Sequence, residues 1–96
     1  MAYTYILKCN DGSYYTGVTN DIERRLWEHE NSKLKSYTQL RQPVKLAWCS
    51  EDVPINLAIQ AEKQIKGWRR AKKEALIVGD LEQLHELAIA YRYKNP

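Results

Sequence analysis

The sequence predicts an α+β domain in which a small three-stranded antiparallel sheet is flanked by helices. Three observations carry that reading. Two short segments rich in Tyr, Thr, Ile and Val are separated by Asn10-Asp11-Gly12, a third such segment follows Pro43, and helical periodicity begins near Asn20, Pro54 and Asp80. A chain of 96 residues builds one core, so residues 1–78 are expected to form the main domain and residues 79–96 a last helix packed on it. With 44% hydrophobic and 28% charged residues, the composition belongs to folding globular chains and not to disordered ones.

Tyr3 to Cys9 and Ser13 to Thr19 read as a hairpin, and the turn decides what it displays. A two-residue Asp11-Gly12 turn pairs Cys9 with Tyr14 and sends Tyr5 and Tyr15 to opposite faces. A three-residue loop with Gly12 left-handed in a G1 bulge pairs Cys9 with Ser13 and Leu7 with Tyr15, so the two tyrosines share a face. Asn20 with Glu23 forms a capping box for a helix over roughly Asp21 to Glu30. At about 100° per residue, Ile22, Arg25, Leu26 and His29 fall in one arc, leaving Glu23, Arg24, Trp27 and Glu28 outside it. Two polar side chains therefore lean inward with the apolar ones.

After a polar, basic loop over residues 31–42, Val44 to Cys49 reads as the third strand. Pro54 introduces a helix to about Arg70 with Ile55, Ala58, Ala61 and Ile65 on its apolar face. Glu62 projects from the middle of that stripe, where a carboxylate is costly unless it is paired or holds a metal. A salt bridge to Arg25, Arg69 or a lysine is one explanation, and a metal ligand is the other. A further helical stretch runs through Ile77 and stops at Gly79, and Asp80 with Gln83 caps a last helix carrying Leu81, Leu84, Leu87, Ala88 and Tyr91.

Several classes are excluded. Cys9 and Cys49 are too few for a disulfide framework and read as buried thiols, and with only His29 and His85 beside them a closed zinc site is not expected. No Gly-rich phosphate loop of the Walker or dinucleotide type is present. No apolar run approaches the roughly 20 residues that span a bilayer, and the N-terminus lacks a secretory pattern, so the expected compartment is the cytoplasm. The net charge of +3 says little, but its distribution says more: ten of the fifteen Lys and Arg lie in two acid-free stretches, residues 31–50 and 63–73. Lys33, Lys35, Arg41, Lys66, Arg69 and Arg70, interleaved with Tyr37 and Trp68, suit a phosphate backbone, although a solvated helix face and loop would carry the same residues.

Taken in order, these residues resemble the GIY-YIG nuclease superfamily, in particular its small stand-alone bacterial branch. Tyr3-Thr4-Tyr5-Ile6-Leu7 looks like the first motif, with Tyr3-Thr4 where many relatives have Gly-Ile, and Tyr15-Thr16-Gly17 looks like the second. Arg25, His29 and Glu62 fall where the family has its arginine, the residue one helical turn later and its metal-binding glutamate. The Asp11-Gly12-Ser13 turn, Tyr37-Thr38 before Arg41-Gln42-Pro43-Val44, and the basic run after Glu62 also match the short branch. The late asparagine of many family sites is not assigned, because Asn56 precedes Glu62.

The resemblance implies a GIY-YIG-like fold and hydrolysis of phosphodiester bonds in DNA, in a repair or processing role. One Mg²⁺ or Mn²⁺ ion would be held weakly by Glu62, with Tyr5 as general base, Arg25 stabilising charge on phosphorus, and His29 and Tyr15 orienting water, phosphate or Tyr5. Tyr5 can serve as a base only if nearby positive charge favours phenolate. The five residues are expected on one concave surface, with Glu62 on the Tyr5 side of the sheet and Gly12 in the bulge that aligns the tyrosines. Two other classes stand beside this one: a non-cleaving nucleic-acid-binding module, and an interaction domain in which Arg25, His29 and Glu62 form a buried ion network.

Overall fold

The structure is a computed structural model that describes residues 1–31 and 41–79. Strands β1 (Tyr3–Lys8) and β2 (Tyr14–Thr19) precede α1 (Ile22–Asn31); β3 (Lys45–Cys49), α2 (Ile55–Lys66) and α3 (Arg70–Val78) follow. The sheet is antiparallel throughout with order β2-β1-β3, as the sequence predicts. By its contacts the chain forms two compact units, Met1–Lys66 and Gly67–Pro96. The helix expected beyond Gly79, with His85, lies outside the described residues.

The hairpin adopts the three-residue loop. Gly12 has φ +84°, its N–H donates to the Cys9 carbonyl at 3.0 Å, and Cys9 N–H donates to the Ser13 carbonyl at 2.9 Å. Leu7 therefore pairs with Tyr15 and Tyr5 with Gly17, placing Tyr5, Leu7, Tyr15 and Gly17 on one face. In the β1–β3 pairing the register shifts between Ile6 and Leu7, which stand opposite Trp48 and Leu46, so Ala47 is the extra residue of a bulge.

Both faces of the central strand are covered, and Thr4, Tyr5, Ile6 and Leu7 are all buried. On one face Tyr5, Leu7, Cys9 and Val44 form a cluster, against which Tyr15 and the α1 residues Ile22 and Leu26 pack. On the other, the Thr4 hydroxyl donates to the Ala58 carbonyl at 2.8 Å and anchors α2. Removing side chains such as Ile6 and Leu7 from water is worth about 1.5–3 kcal/mol each, which makes β1 the spine of the unit. The helices thus sandwich the sheet, α1 over Tyr5 and α2 over Thr4.

Several local expectations are corrected. The cap of α1 is Asp21, whose Oδ1 accepts Arg24 N–H at 3.1 Å; Asn20 is not used because Thr19 ties its hydroxyl to Asp21 N–H at 3.1 Å and so starts the helix one residue later. The helix expected to reach Arg70 ends at Lys66, because Gly67 favours a break and Arg69 is extended at φ −67° and ψ 158° before α3 starts. Ile55, placed on the apolar face by periodicity, is 54% exposed, whereas Ala58 and Ile65 are buried. Cys9 is buried as expected, but Cys49 is only half-buried. No helix among the described residues is long and apolar enough to cross a membrane.

Candidate active site

Four of the predicted residues converge on the α1 face. Helix α1 presents Ile22, Arg25, Leu26 and His29 half-buried, while Glu23, Arg24, Trp27 and Glu28 are exposed, which is the arc the spacing predicts. The Tyr5 hydroxyl and His29 Nε2 are 2.9 Å apart in a hydrogen bond. Three rings surround that contact: Tyr15 and His29 meet edge-on with centroids 5.0 Å apart, Tyr5 and His29 at 5.9 Å, and Tyr5 and Tyr15 at 6.3 Å. Gly17 makes the arrangement possible. A Cβ on that residue would lie 2.5 Å from the Tyr5 hydroxyl and 2.6 Å from its Cζ, so the ring reaches from β1 across the edge strand β2 through space only glycine leaves open.

The electrostatics of the pair run in a definite direction. Burial is the main cause that pushes the Tyr5 phenol well above its ordinary range; Tyr15, Glu62 and Glu28 add to it and the Arg25 charge opposes it. Arg25 alone does not supply the positive charge that phenolate would need, because desolvation outweighs it. His29 moves the other way, lowered by burial first and then by Arg25, against a smaller opposing effect of Glu28. At neutral pH the contact therefore joins a neutral phenol to a neutral imidazole, and in the tautomer with the ring proton on Nδ1 the phenol donates to Nε2. Nearby, Arg25 Nε is buried with no hydrogen-bond partner among the described residues, a donor placed where an anion would satisfy it.

The fifth predicted residue, Glu62, lies on α2, and its charge bears on Tyr5. Its helix is anchored to the Thr4 face, opposite Tyr5, and the link between Glu62 and Tyr5 is through charge. Its Oε1 lies 3.4 Å from Lys66 Nζ, with Lys66 half-exposed, so the lysine salt bridge foreseen as one explanation is formed. Among the described residues no three His, Cys, Asp or Glu side chains gather into a metal-holding group.

The basic residues are less free than their spacing implies. Lys33, Lys35 and Tyr37 lie outside the described residues. Arg41 Nε is 3.0 Å from Asp11 Oδ2, and Arg70 Nε is 2.7 Å from Glu74 Oε1 one turn along α3. Arg69 is exposed just ahead of α3, and Lys72 stacks on Trp68 with Nζ 4.2 Å from the ring centroid. Gln42 carried no site assignment in the sequence, yet its Nε2 donates to the His29 carbonyl at 2.5 Å. Nothing in local patterning signals a contact across 13 residues.

Residues 1–75 match the GIY-YIG catalytic domain. The chain belongs to the GIY-YIG family. The match spans all five predicted site residues, including the Tyr5–Gly17 pairing that aligns both tyrosine motifs. Among curated relatives, a UPF0213 protein of Bacillus pumilus is 43% identical over 75 residues, covering 78% of this chain and 76% of that one. A UPF0213 protein of Halobacterium salinarum is 41% identical over 76 residues, covering 79% and 99%. Among solved structures, a solution NMR structure of a protein from E. faecalis is similar at 35% identity and a TM-score of 0.55, over 86% of this chain and 84% of that one. This GIY-YIG chain thus has relatives in both Bacillus pumilus and Halobacterium salinarum.

Proposed function

We propose that this chain is a metal-dependent endonuclease that hydrolyses phosphodiester bonds in DNA. The observation that carries the reading is the Tyr5–His29 hydrogen bond, set within a GIY-YIG domain beside an Arg25 Nε that has no partner among the described residues. A buried phenol is a poor base alone, and pairing with neutral His29 offsets that. Water gives a proton to the Tyr5 oxygen as Tyr5 passes its own to His29 Nε2, the water oxygen bonds to phosphorus, and the P–O bond to the leaving nucleoside oxygen breaks. The pair ends with the net proton on His29, and the leaving oxygen takes its proton from solvent. Arg25 supplies charge-assisted hydrogen bonds to the phosphoryl oxygens as negative charge builds there. Tyr15, edge-on to His29, keeps the imidazole aimed at Tyr5.

The family implies a divalent ion, and the donor set fits one kind. Glu62 supplies a single hard carboxylate, which suits Mg²⁺ or Mn²⁺ completed by water and substrate oxygens and not a closed protein cage. Bound there, the ion would polarise the phosphate and offset charge on the leaving oxygen. The Tyr5 ring already leans over the β2 edge, and Glu62 reaches the same substrate from the α2 layer. Lys33, Lys35, Tyr37, Arg41, Lys66, Arg69 and Arg70 would guide the strand, with Arg41, Lys66 and Arg70 exchanging their carboxylate partners for phosphate.

The Glu62–Lys66 pair favours a second reading, a nucleic-acid-binding module without cleavage, in which Glu62 is only half of a surface ion pair. Incubating the protein with duplex, single-stranded, flapped and branched DNA, with and without Mg²⁺ or Mn²⁺, decides between them. Metal-dependent cuts that disappear in Glu62→Gln support the nuclease; binding with no cuts supports the module.

A further inference from the structure

Two buried side-chain atoms, Arg25 Nε and Thr16 Oγ1, have no hydrogen-bond partner among the described residues, and the nuclease reading uses only the arginine. Thr16 is 3% exposed in the middle of the second motif, between Tyr15 and Gly17. Those two neighbours face the tyrosine site, but strand alternation turns Thr16 the other way, onto the face of Thr4 and of its cross-strand partner Ile6. Valine has the same shape and would spare the cost of burying a hydroxyl unpaired, so the oxygen calls for a partner.

The path of α2 brings one to its level. Ala2 and Val53 exchange backbone hydrogen bonds at 2.7 and 2.9 Å, so the chain enters α2 beside the start of β1, and the Ala58 carbonyl then accepts from the Thr4 hydroxyl. Helix and strand therefore advance in the same direction. From Ala58 to Glu62 a helix climbs about 6 Å, and from Thr4 to Ile6 a strand covers about 7 Å, which sets Glu62 at the height of Ile6 and Thr16. Helix α2 packs on β1 and β2 alike, and its buried and half-buried residues are Ala58, Ala61, Glu62 and Ile65. Glu62 is the polar member of that set, and it lies over the sheet face that holds the unpartnered Thr16 hydroxyl.

In the structure Glu62 Oε1 is 3.4 Å from Lys66 Nζ. Once Lys66 turns to a phosphate, that oxygen loses its donor. A threonine hydroxyl can take the place of the ammonium, because it donates one hydrogen bond, adds no charge to compete with a cation, and fixes the orientation of a ligating carboxylate. From this geometry we infer that Thr16 is a positioning residue whose hydroxyl takes the Glu62 carboxylate when Lys66 releases it. The consequence for metal binding rests on Glu62 being the ligand of the proposed nuclease; the Thr16–Glu62 contact does not.

The test uses the full chain. Melting temperatures are compared without metal for wild type, Thr16→Val, Lys66→Ala and the double variant. In the wild-type background Thr16→Val should leave the melting temperature unchanged or raise it, because the hydroxyl it removes is unpaired there. In the Lys66→Ala background it should lower the melting temperature, because Glu62 has then turned to Thr16. Thr16→Ala makes the same comparison if Thr16→Val fails to fold. Binding of Mn²⁺, followed by loss of the free-ion EPR signal, should weaken about 10-fold in Thr16→Val and return in Thr16→Ser, which keeps the hydroxyl. An equal melting shift in both backgrounds overturns the inference, as does Mn²⁺ affinity that Thr16→Val leaves unchanged. If the wild-type chain neither holds Mn²⁺ nor cuts DNA, the nuclease reading falls while the melting comparison still decides whether Thr16 takes Glu62.

Discussion

Tyr5 lies across Gly17, its cross-strand partner, so closely that a Cβ on Gly17 would meet the phenol oxygen at 2.5 Å. The glycine of the second motif is there to let the tyrosine of the first one through. Gly17→Ala should displace the Tyr5 ring, break its bond to His29 and cost about 1–3 kcal/mol. Thermal melting, and an experimental structure in which the 2.9 Å hydrogen bond is broken, check this. An unshifted ring would refute the packing argument.

Glu62→Gln and Tyr5→Phe separate chemistry from stability. The Glu62–Lys66 pair is partly exposed, so breaking it should cost no more than about 1 kcal/mol, while both substitutions should abolish cleavage and leave DNA affinity largely intact. Melting and cleavage are measured on the same preparations. A drop of several kcal/mol in Glu62→Gln without any wild-type cleavage would identify a structural ion pair instead.

The pH dependence follows from the two opposite shifts. His29 must be neutral to accept the Tyr5 proton, and its lowered pKa keeps it so; cleavage should hold through neutral pH and fall only below the ordinary histidine value of about 6.5. An acid limb centred above that value would contradict the relay.

Stability carries the same signs. The buried phenol favours the protonated form in the folded chain, so its contribution is complete below the unfolded pKa of about 10 and is lost as pH rises through the higher folded value. Wild type should therefore lose stability in alkali faster than Tyr5→Phe, as denaturant titrations at pH 9 and 11 can show. Equal slopes would mean that Tyr5 is not desolvated.

Changing Lys33, Lys35, Lys66 and Arg70 to Ala should weaken binding across DNA sequences and flatten the salt dependence, by roughly one unit of slope for each phosphate that is no longer neutralised. Fluorescence anisotropy over a salt series measures both. An unchanged slope would leave Lys66 and Arg70 to their carboxylate partners, Glu62 and Glu74.

What local patterning could carry, the sequence by itself determined. The inward lean of Arg25 and His29 was legible because helical spacing puts them on the arc of Ile22 and Leu26, whereas Gly12 suits either hairpin turn and the bulge was expected only because that register aligns the two tyrosines. The motif order placed Tyr5, Tyr15, Arg25, His29 and Glu62 in the family before any contact was seen. Tertiary structure alone decided the rest. Periodicity says that Glu62 sits on a core-facing stripe but not which face of the sheet receives it, and the Thr4–Ala58 bond puts α2 opposite the tyrosines. Charge spacing marked Arg41 as a cation for DNA, while folding brought it to Asp11, 30 residues away. Burial, which no linear pattern measures, holds Tyr5 as a neutral phenol despite the Arg25 charge. Desolvation and long-range pairing depend on what the fold brings close, and neighbours in sequence do not report it.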